Sequence, residues 1–270
     1  MPDPARRTLI LSLPALAVAA CTPTPRQTAP PQTRIAPPAV HPPQFGDSHP
    51  IDFPGQHPKR FAVHGIDAAR FQSHADWRAA RASGVNFVWL KATEGGDRLD
   101  PMFAPHMLEA RRAGIPAGAY HFFYFCTPAL VQARWFIRNV KKHPGMLPPV
   151  LDLEWNPHSP TCTLRPDGRI VRREARIFLD ALEAHYGQRP VVYTTLEFWR
   201  ETGIGKLRGV EFWLRSTAEP LRQSFPGQHW RFWQYSSTGI VPGFEQAVDL
   251  NLFNGSKADW HAWLAARRVR

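Results

Sequence analysis

The 270-residue chain has three cysteines, too few for a disulfide-built scaffold. No apolar run reaches the roughly 18 residues that a membrane-spanning helix requires. No glycine-rich fingerprint follows the first expected strand, which argues against dinucleotide binding. No H-E-x-x-H spacing or other zinc set is present, so neither metal nor cofactor is expected. Aromatic–basic interleaving and nucleic-acid motifs are missing too, although the net charge is +11. What is present suffices for a core: 43% hydrophobic residues, ten Trp and seventeen Phe exclude a wholly disordered chain.

The first 59 residues read as an address and a tether. Arg6 and Arg7, an apolar stretch from Leu9 to Ala20 and small residues before Cys21 make up a secretory signal over residues 1–21. Val18-Ala19-Ala20-Cys21 also resembles a bacterial lipobox, which makes Cys21 a lipidation candidate and the membrane a partner only through that lipid. Residues 22–59 are rich in Pro, Thr, Gln and Ala, a composition that predicts a disordered linker. The protein is therefore expected to be exported to the bacterial cell envelope, lipid-anchored or secreted. Residues 1–59 hold five Lys and Arg against three Asp and Glu, so 28 basic and 19 acidic residues remain in 60–270, a balance of +9. That surplus favours a polyanionic partner, whether nucleic acid, anionic lipid or cell-wall polymer, with a solvated helix face as the plain alternative.

From Phe61 the chain alternates strand and helix. Strands are expected at 61–67, 86–93, 115–123, 147–154 and 189–195, with helices at 74–83, 101–113, 128–141 and 169–186 between them. In the last of these helices Ile170, Ala175, Ile177, Phe178 and Leu182 form the apolar side. Three further strands (211–216, 229–236, 246–250) have little helix between them, and a helix over 257–268 closes the chain. Eight strands with early βα units predict an α/β fold, a single mainly parallel TIM-like β/α barrel over residues 60–270. In such a barrel chemistry collects where the strands end. Asp67, Glu94, Asp152, Glu154 and Asp249 all fall near predicted strand ends. Asp152 and Glu154 stand two apart on a strand, so both side chains leave one face, their Cα atoms about 6.5–7 Å apart. Crowded carboxyls in a poorly hydrated site push one pKa up. The pair suits glycoside cleavage, binding of Mg²⁺ or Ca²⁺, or a buried ion pair with Lys or Arg.

Five blocks in order resemble the glycoside hydrolase family 25 lysozymes, the Chalaropsis-type muramidases: Gly65-Ile66-Asp67, Lys91-Ala92-Thr93-Glu94-Gly95, Tyr120-His121-Phe122, Asp152-Leu153-Glu154, and Trp233-Gln234-Tyr235-Ser236 followed by Val248-Asp249-Leu250-Asn251. Ala68-Ala69 stands where the family usually has Val-Ser. The resemblance implies a β/α barrel with reduced helices in its last third. It also implies hydrolysis of the β-1,4 bond between N-acetylmuramic acid and N-acetylglucosamine in peptidoglycan. Carried over by position, Glu154 is the general acid/base. Asp152 is its partner, as nucleophile or as the group that orients the substrate's 2-acetamido substituent. Asp67 and Asp249 are the remaining active-site carboxylates, and Tyr120 is a sugar contact.

Glu94, Trp155, Trp233 and Tyr235 are further candidates for substrate contact, and Trp89 and Phe122 are aromatics of the same kind, with burial in the core as the competing role. Lys91 is expected to pair with a rim acid, and His64 and His121 to be satisfied core histidines. Cys126 and Cys162 follow neighbouring strands, so in an oxidising compartment a disulfide between them is expected. No unassigned apolar stripe remains, which predicts a monomer. The competing functional class is a non-catalytic peptidoglycan-binding or anchoring lipoprotein.

Overall fold

The computed structural model describes residues 37–270. The signal, Cys21 and the start of the linker lie outside the described residues. In chain order the elements are β1 (Gly46–Asp47), β2 (His64–Ala68), α1 (Trp77–Ala82), β3 (Val88–Glu94), β4 (Arg98–Leu99), α2 (Phe103–Arg112), β5 (Ala117–Phe122), α3 (Ala129–Asn139) and β6 (Val150–Leu153). They continue with α4 (Gly168–Tyr186), β7 (Val191–Thr195), α5 (Leu196–Thr202), β8 (Phe212–Arg215), α6 (Leu221–Ser224), β9 (Phe232–Ile240), β10 (Val248–Phe253) and α7 (Lys257–Arg267).

Eight strands close a barrel in the order β2-β3-β5-β6-β7-β8-β9-β10, with β10 returning to β2. Seven run parallel. β10 is antiparallel to both of its neighbours. Only residues 241–247 join it to β9, too short a connection for a parallel crossover of about a dozen residues. This reversal corrects the placement of Asp249 at a strand's end: it is the second residue of β10. Because β10 runs the other way, its start meets the rim where the parallel strands finish, and Asp249 pairs in register with Asp67.

The strand pattern sorts side chains between two regions. Ile66, Val88, Leu90, Leu151, Leu153, Val192 and Leu214 pack outward beneath the helices. Trp89, Val150, Val191, Tyr193, Trp213 and Phe232 fill the barrel. Gly118 admits the Trp89 ring, since a Cβ there would lie 2.6 Å from the indole nitrogen. At the strands' opposite ends α7 lays Trp260 5.3 Å from Phe87 and Trp263 5.1 Å from Phe232, closing the floor. Its start is fixed by a capping box between Ser256 and Asp259. In α4 the buried stripe is Val171, Ala175, Phe178, Leu179, Leu182 and Tyr186, whereas Ile170 and Ile177, expected inside, are exposed one position off the stripe.

Residues 37–59, part of the expected linker, lie against the barrel. β1 pairs with β9, Phe53 is buried edge-on to Trp233 at 4.9 Å, and the Asn86 side chain exchanges hydrogen bonds of 2.9 Å with the His41 backbone. A Pro-rich average hides these few anchors, each of which finds a ready slot on the barrel.

Cys126 and Cys162 form a disulfide, their Cα atoms 5.7 Å apart and 36 residues apart in sequence. Closing a loop of that length removes denatured-chain entropy worth about 3–4 kcal/mol. Replacing both cysteines by Ser should lower unfolding free energy by about that amount. Guanidinium titration followed by tryptophan fluorescence measures it, and a loss below about 1 kcal/mol would show that the loop is held by packing instead.

Candidate active site

The rim at the parallel strands' C-terminal ends surrounds an open cleft of about 780 Å³. Asp67 (end of β2), Asp152 (β6), Glu154 (just past β6) and Asp249 (start of β10) all line it, together with Tyr120, Lys91, Tyr193, Trp213, Arg215 and Gln234. Four acids from three separate stretches of the chain therefore share one hollow.

A fixed amide network orients Asp67. The Asn251 side-chain amide donates to its Oδ2 at 2.7 Å and that of Gln234 to the same oxygen at 2.9 Å. Each amide is itself held by a donor: the Trp213 indole N–H donates to Asn251 at 2.8 Å and the Tyr193 hydroxyl to Gln234 at 2.9 Å. The carboxylate's orientation is thus set by side chains from β7, β8, β9 and β10. Although these amides favour its charged form, burial and the nearby Asp249 charge hold Asp67 well above the ordinary carboxylate range.

Glu154 and Asp152 differ in their surroundings. Burial lifts Glu154 to about 7, against the opposing pull of the Arg215 and Lys91 cations. Asp152 is pushed well up by burial and by the Glu154 charge, and its Oδ1 has no hydrogen-bond partner among the described residues. Asp249, raised by burial and restrained by Arg215, reaches about 6. Carboxyls this close cannot all ionise near neutrality, so the group retains a proton where an isolated Glu would not. Among the described residues no group of three or more His, Cys, Asp or Glu is arranged to hold a metal ion.

The remaining candidates are dispersed. Tyr120 and Phe122 line the cleft, and Lys91 stands 4.7 Å over the Phe122 ring. Glu94 lies off the cleft lining: it pairs with Lys91 at 2.7 Å and accepts a hydrogen bond from the Tyr124 hydroxyl. Burial acts to raise Glu94, but those two partners hold it below its ordinary value. Trp155 belongs to a neighbouring hollow, packed on Phe198 at 4.4 Å. Trp233 and Tyr235 point away from the cleft. Trp233 is fully buried outside the barrel against Phe53, and Tyr235 hydrogen-bonds His64 at 3.0 Å. The residue between them, Gln234, faces inward, as alternation along β9 requires. Trp89 lies in the core; His64 and His121 are buried, hydrogen-bonded and lowered by burial to about 4.

Sequence reasoning missed Tyr193, Trp213 and Arg215, and it named Gln234 and Asn251 only as motif residues without a role. The signal was present: each follows the two-residue alternation from an identifiable inward position. Phe71 was also missed; it is 65% exposed and lines the cleft from the segment after β2.

The sequence model for glycosyl hydrolases family 25 matches residues 66–244. Lysozyme M1 of Streptomyces globisporus is 34% identical over 211 residues, covering 73% of this chain and 69% of that protein. An N,O-diacetylmuramidase of Arthroderma benhamiae is 31% identical, covering 72% and 83%. A family 25 glycosyl hydrolase from Bacillus anthracis superposes with a TM-score of 0.69 at 30% identity, covering 78% of this chain and 99% of that one. The bacterial lysozyme of Streptomyces coelicolor gives 0.67 at 32%, covering 76% and 97%. With its closed eight-stranded barrel and its cleft of carboxyls, the chain belongs to glycosyl hydrolases family 25 and is a glycoside hydrolase.

Proposed function

We propose that this protein cleaves the β-1,4 bond between N-acetylmuramic acid and N-acetylglucosamine in peptidoglycan. One observation carries the reading: Asp67, Asp152, Glu154 and Asp249 share a single cleft in which Glu154 titrates near 7. Glycoside cleavage needs a carboxylic acid to protonate the leaving oxygen and a carboxylate to support positive charge at the anomeric carbon. Glu154 is the proton donor, and afterwards the base that activates water. Asp152 is the partner, acting on the anomeric carbon directly or through the substrate's 2-acetamido group. Asp249 and the clamped Asp67 complete the negative lining, and Tyr120, Phe122 and Phe71 offer contacts to the sugars.

The relatives named as a lysozyme and a diacetylmuramidase support this substrate. One chain carries the whole acid set, as a monomeric enzyme requires. Export through residues 1–21, with a lipid on Cys21, would bring it to the wall. The test is to incubate the protein with purified peptidoglycan and identify the fragments by mass spectrometry. New muramic-acid reducing ends are expected; N-acetylglucosamine reducing ends, or binding with no products between pH 4 and 8, would overturn the proposal.

A further inference from the structure

A second hollow of about 470 Å³ opens beside the cleft and shares Glu154 and Arg215 with it. Its other walls come from α5, through Glu197 and Arg200, and from the β8–α6 segment, through Ser216, Thr217 and Glu219. One side is rigid. The Trp155 indole N–H donates to Glu201 at 2.8 Å, and Arg165 lies 5.2 Å from the Trp155 ring centre while pairing with Glu197 at 2.8 Å and with Glu201 at 3.5 Å. That network engages both acids of α5 with one cation, Arg165. Arg200 and Arg215 form no ion pair with any described carboxylate, and Arg200 is exposed. Glu219, also without an ion pair among the described residues, faces the same hollow.

We propose that this hollow is a subsite for the peptide borne by the glycan, with Arg200 taking a peptide carboxylate and Glu219 an ammonium group. The inference rests on the muramidase reading. Because Glu154 and Arg215 line both cavities, a muramic ring held beside Glu154 carries its O3-linked lactyl-peptide at the border of the second hollow. Guanidinium groups bind carboxylates in forked geometry and are more weakly hydrated than ammonium groups, and Arg200 has no ion pair among the described residues to give up. The opposed charges of Arg200 and Glu219 match a zwitterionic peptide better than the glycan, whose only charge, once the peptide is removed, is the anionic lactyl carboxylate. Peptide binding there places the glycan along the cleft, so the gain appears as a specificity for peptide-bearing over stripped chains.

The experiment compares two substrates prepared from one sacculus batch, intact peptide-bearing glycan strands and strands stripped of peptide by an amidase. The wild-type protein is expected to show kcat/KM at least tenfold higher on the peptide-bearing strands. Arg200→Gln should reduce that ratio about fivefold or more through KM, and Glu219→Gln should reduce it for peptides that carry a free side-chain amine. Equal kcat/KM on both substrates, or an Arg200→Gln loss of the same factor on both, would overturn the subsite. Absence of cleavage of either substrate by the wild type would instead remove the muramidase reading, so the two failures are distinguishable.

Discussion

Glu154→Gln should leave a folded protein that releases fragments from peptidoglycan at least a hundredfold more slowly, yet unfolds at a higher temperature. The activity loss follows from the proton. Glutamine fills the same space but cannot donate to the leaving oxygen, and acid/base assistance of this kind is worth roughly 10²–10⁴ in rate. The stability gain follows from the pKa. Glu154 goes from an ordinary 4.5 to about 7 on folding. A carboxyl raised in this way contributes fully below pH 4.5, where it is protonated in both states, and its contribution is lost as pH rises from there through 7 because only the unfolded chain ionises freely. At pH 8 the native state therefore carries a cost of about 3 kcal/mol that glutamine removes. For a domain of this size that is a rise in Tm of about 6–12 °C. The same comparison at pH 4 should show almost no difference. Calorimetry at both values, beside turnover measurements, checks the two halves. Retained activity would take Glu154 out of the mechanism, and an unchanged Tm at pH 8 would mean that the site is wetter than its burial implies.

This combination of inactivity and added stability also separates the site from the scaffold around it. Trp89, Trp213 and Phe232 fill the barrel with apolar contacts, and trimming any of them costs packing. The acids above them are the opposite case. Asp152 keeps an oxygen without a partner, and Asp67 is held charged-side inward by two amides although burial opposes its ionisation. Such an arrangement costs stability and persists where a reaction uses it.

Much of this architecture was legible from the sequence, and for physical reasons. Periodicity identified the early βα units, because each strand needs an apolar face against its helix. Acids on expected strand ends pointed to the rim because no apolar environment tolerates them without purpose. What escaped was whatever depends on direction rather than pattern. The reversal of β10 cannot be seen in its alternation, which reads the same both ways; only the short 241–247 connection implies it. Trp233 and Tyr235 were prominent by type, but their register turned them outward and turned the inconspicuous Gln234 in. The anchoring of residues 37–59 rests on single contacts such as Phe53 against Trp233, which composition averages away.

The pH dependence of kcat/KM should be a narrow bell whose position the local cations control. In the proposed role Glu154, near 7, must hold its proton to donate it, so the rate should fall tenfold per unit above that value and stand about a hundredfold below optimum at pH 9. At low pH the carboxyls protonate further, with Asp249 near 6, and the negative lining that supports the anomeric centre is lost. The interacting acids titrate as a group, so the limbs report the set rather than single residues. Arg215 supplies the decisive lever, because its charge lowers both Glu154 and Asp249. Arg215→Gln removes that pull, both acids bind protons more tightly, and the whole bell should move to higher pH by about half a unit to one unit. The shift is read from profiles on stripped glycan strands at constant ionic strength, where loss of peptide contacts does not enter. A bell that drops in height without moving would show that Arg215 acts only by holding the substrate, whereas a move to lower pH would reverse the sign of the electrostatics on which the assignment of Glu154 depends.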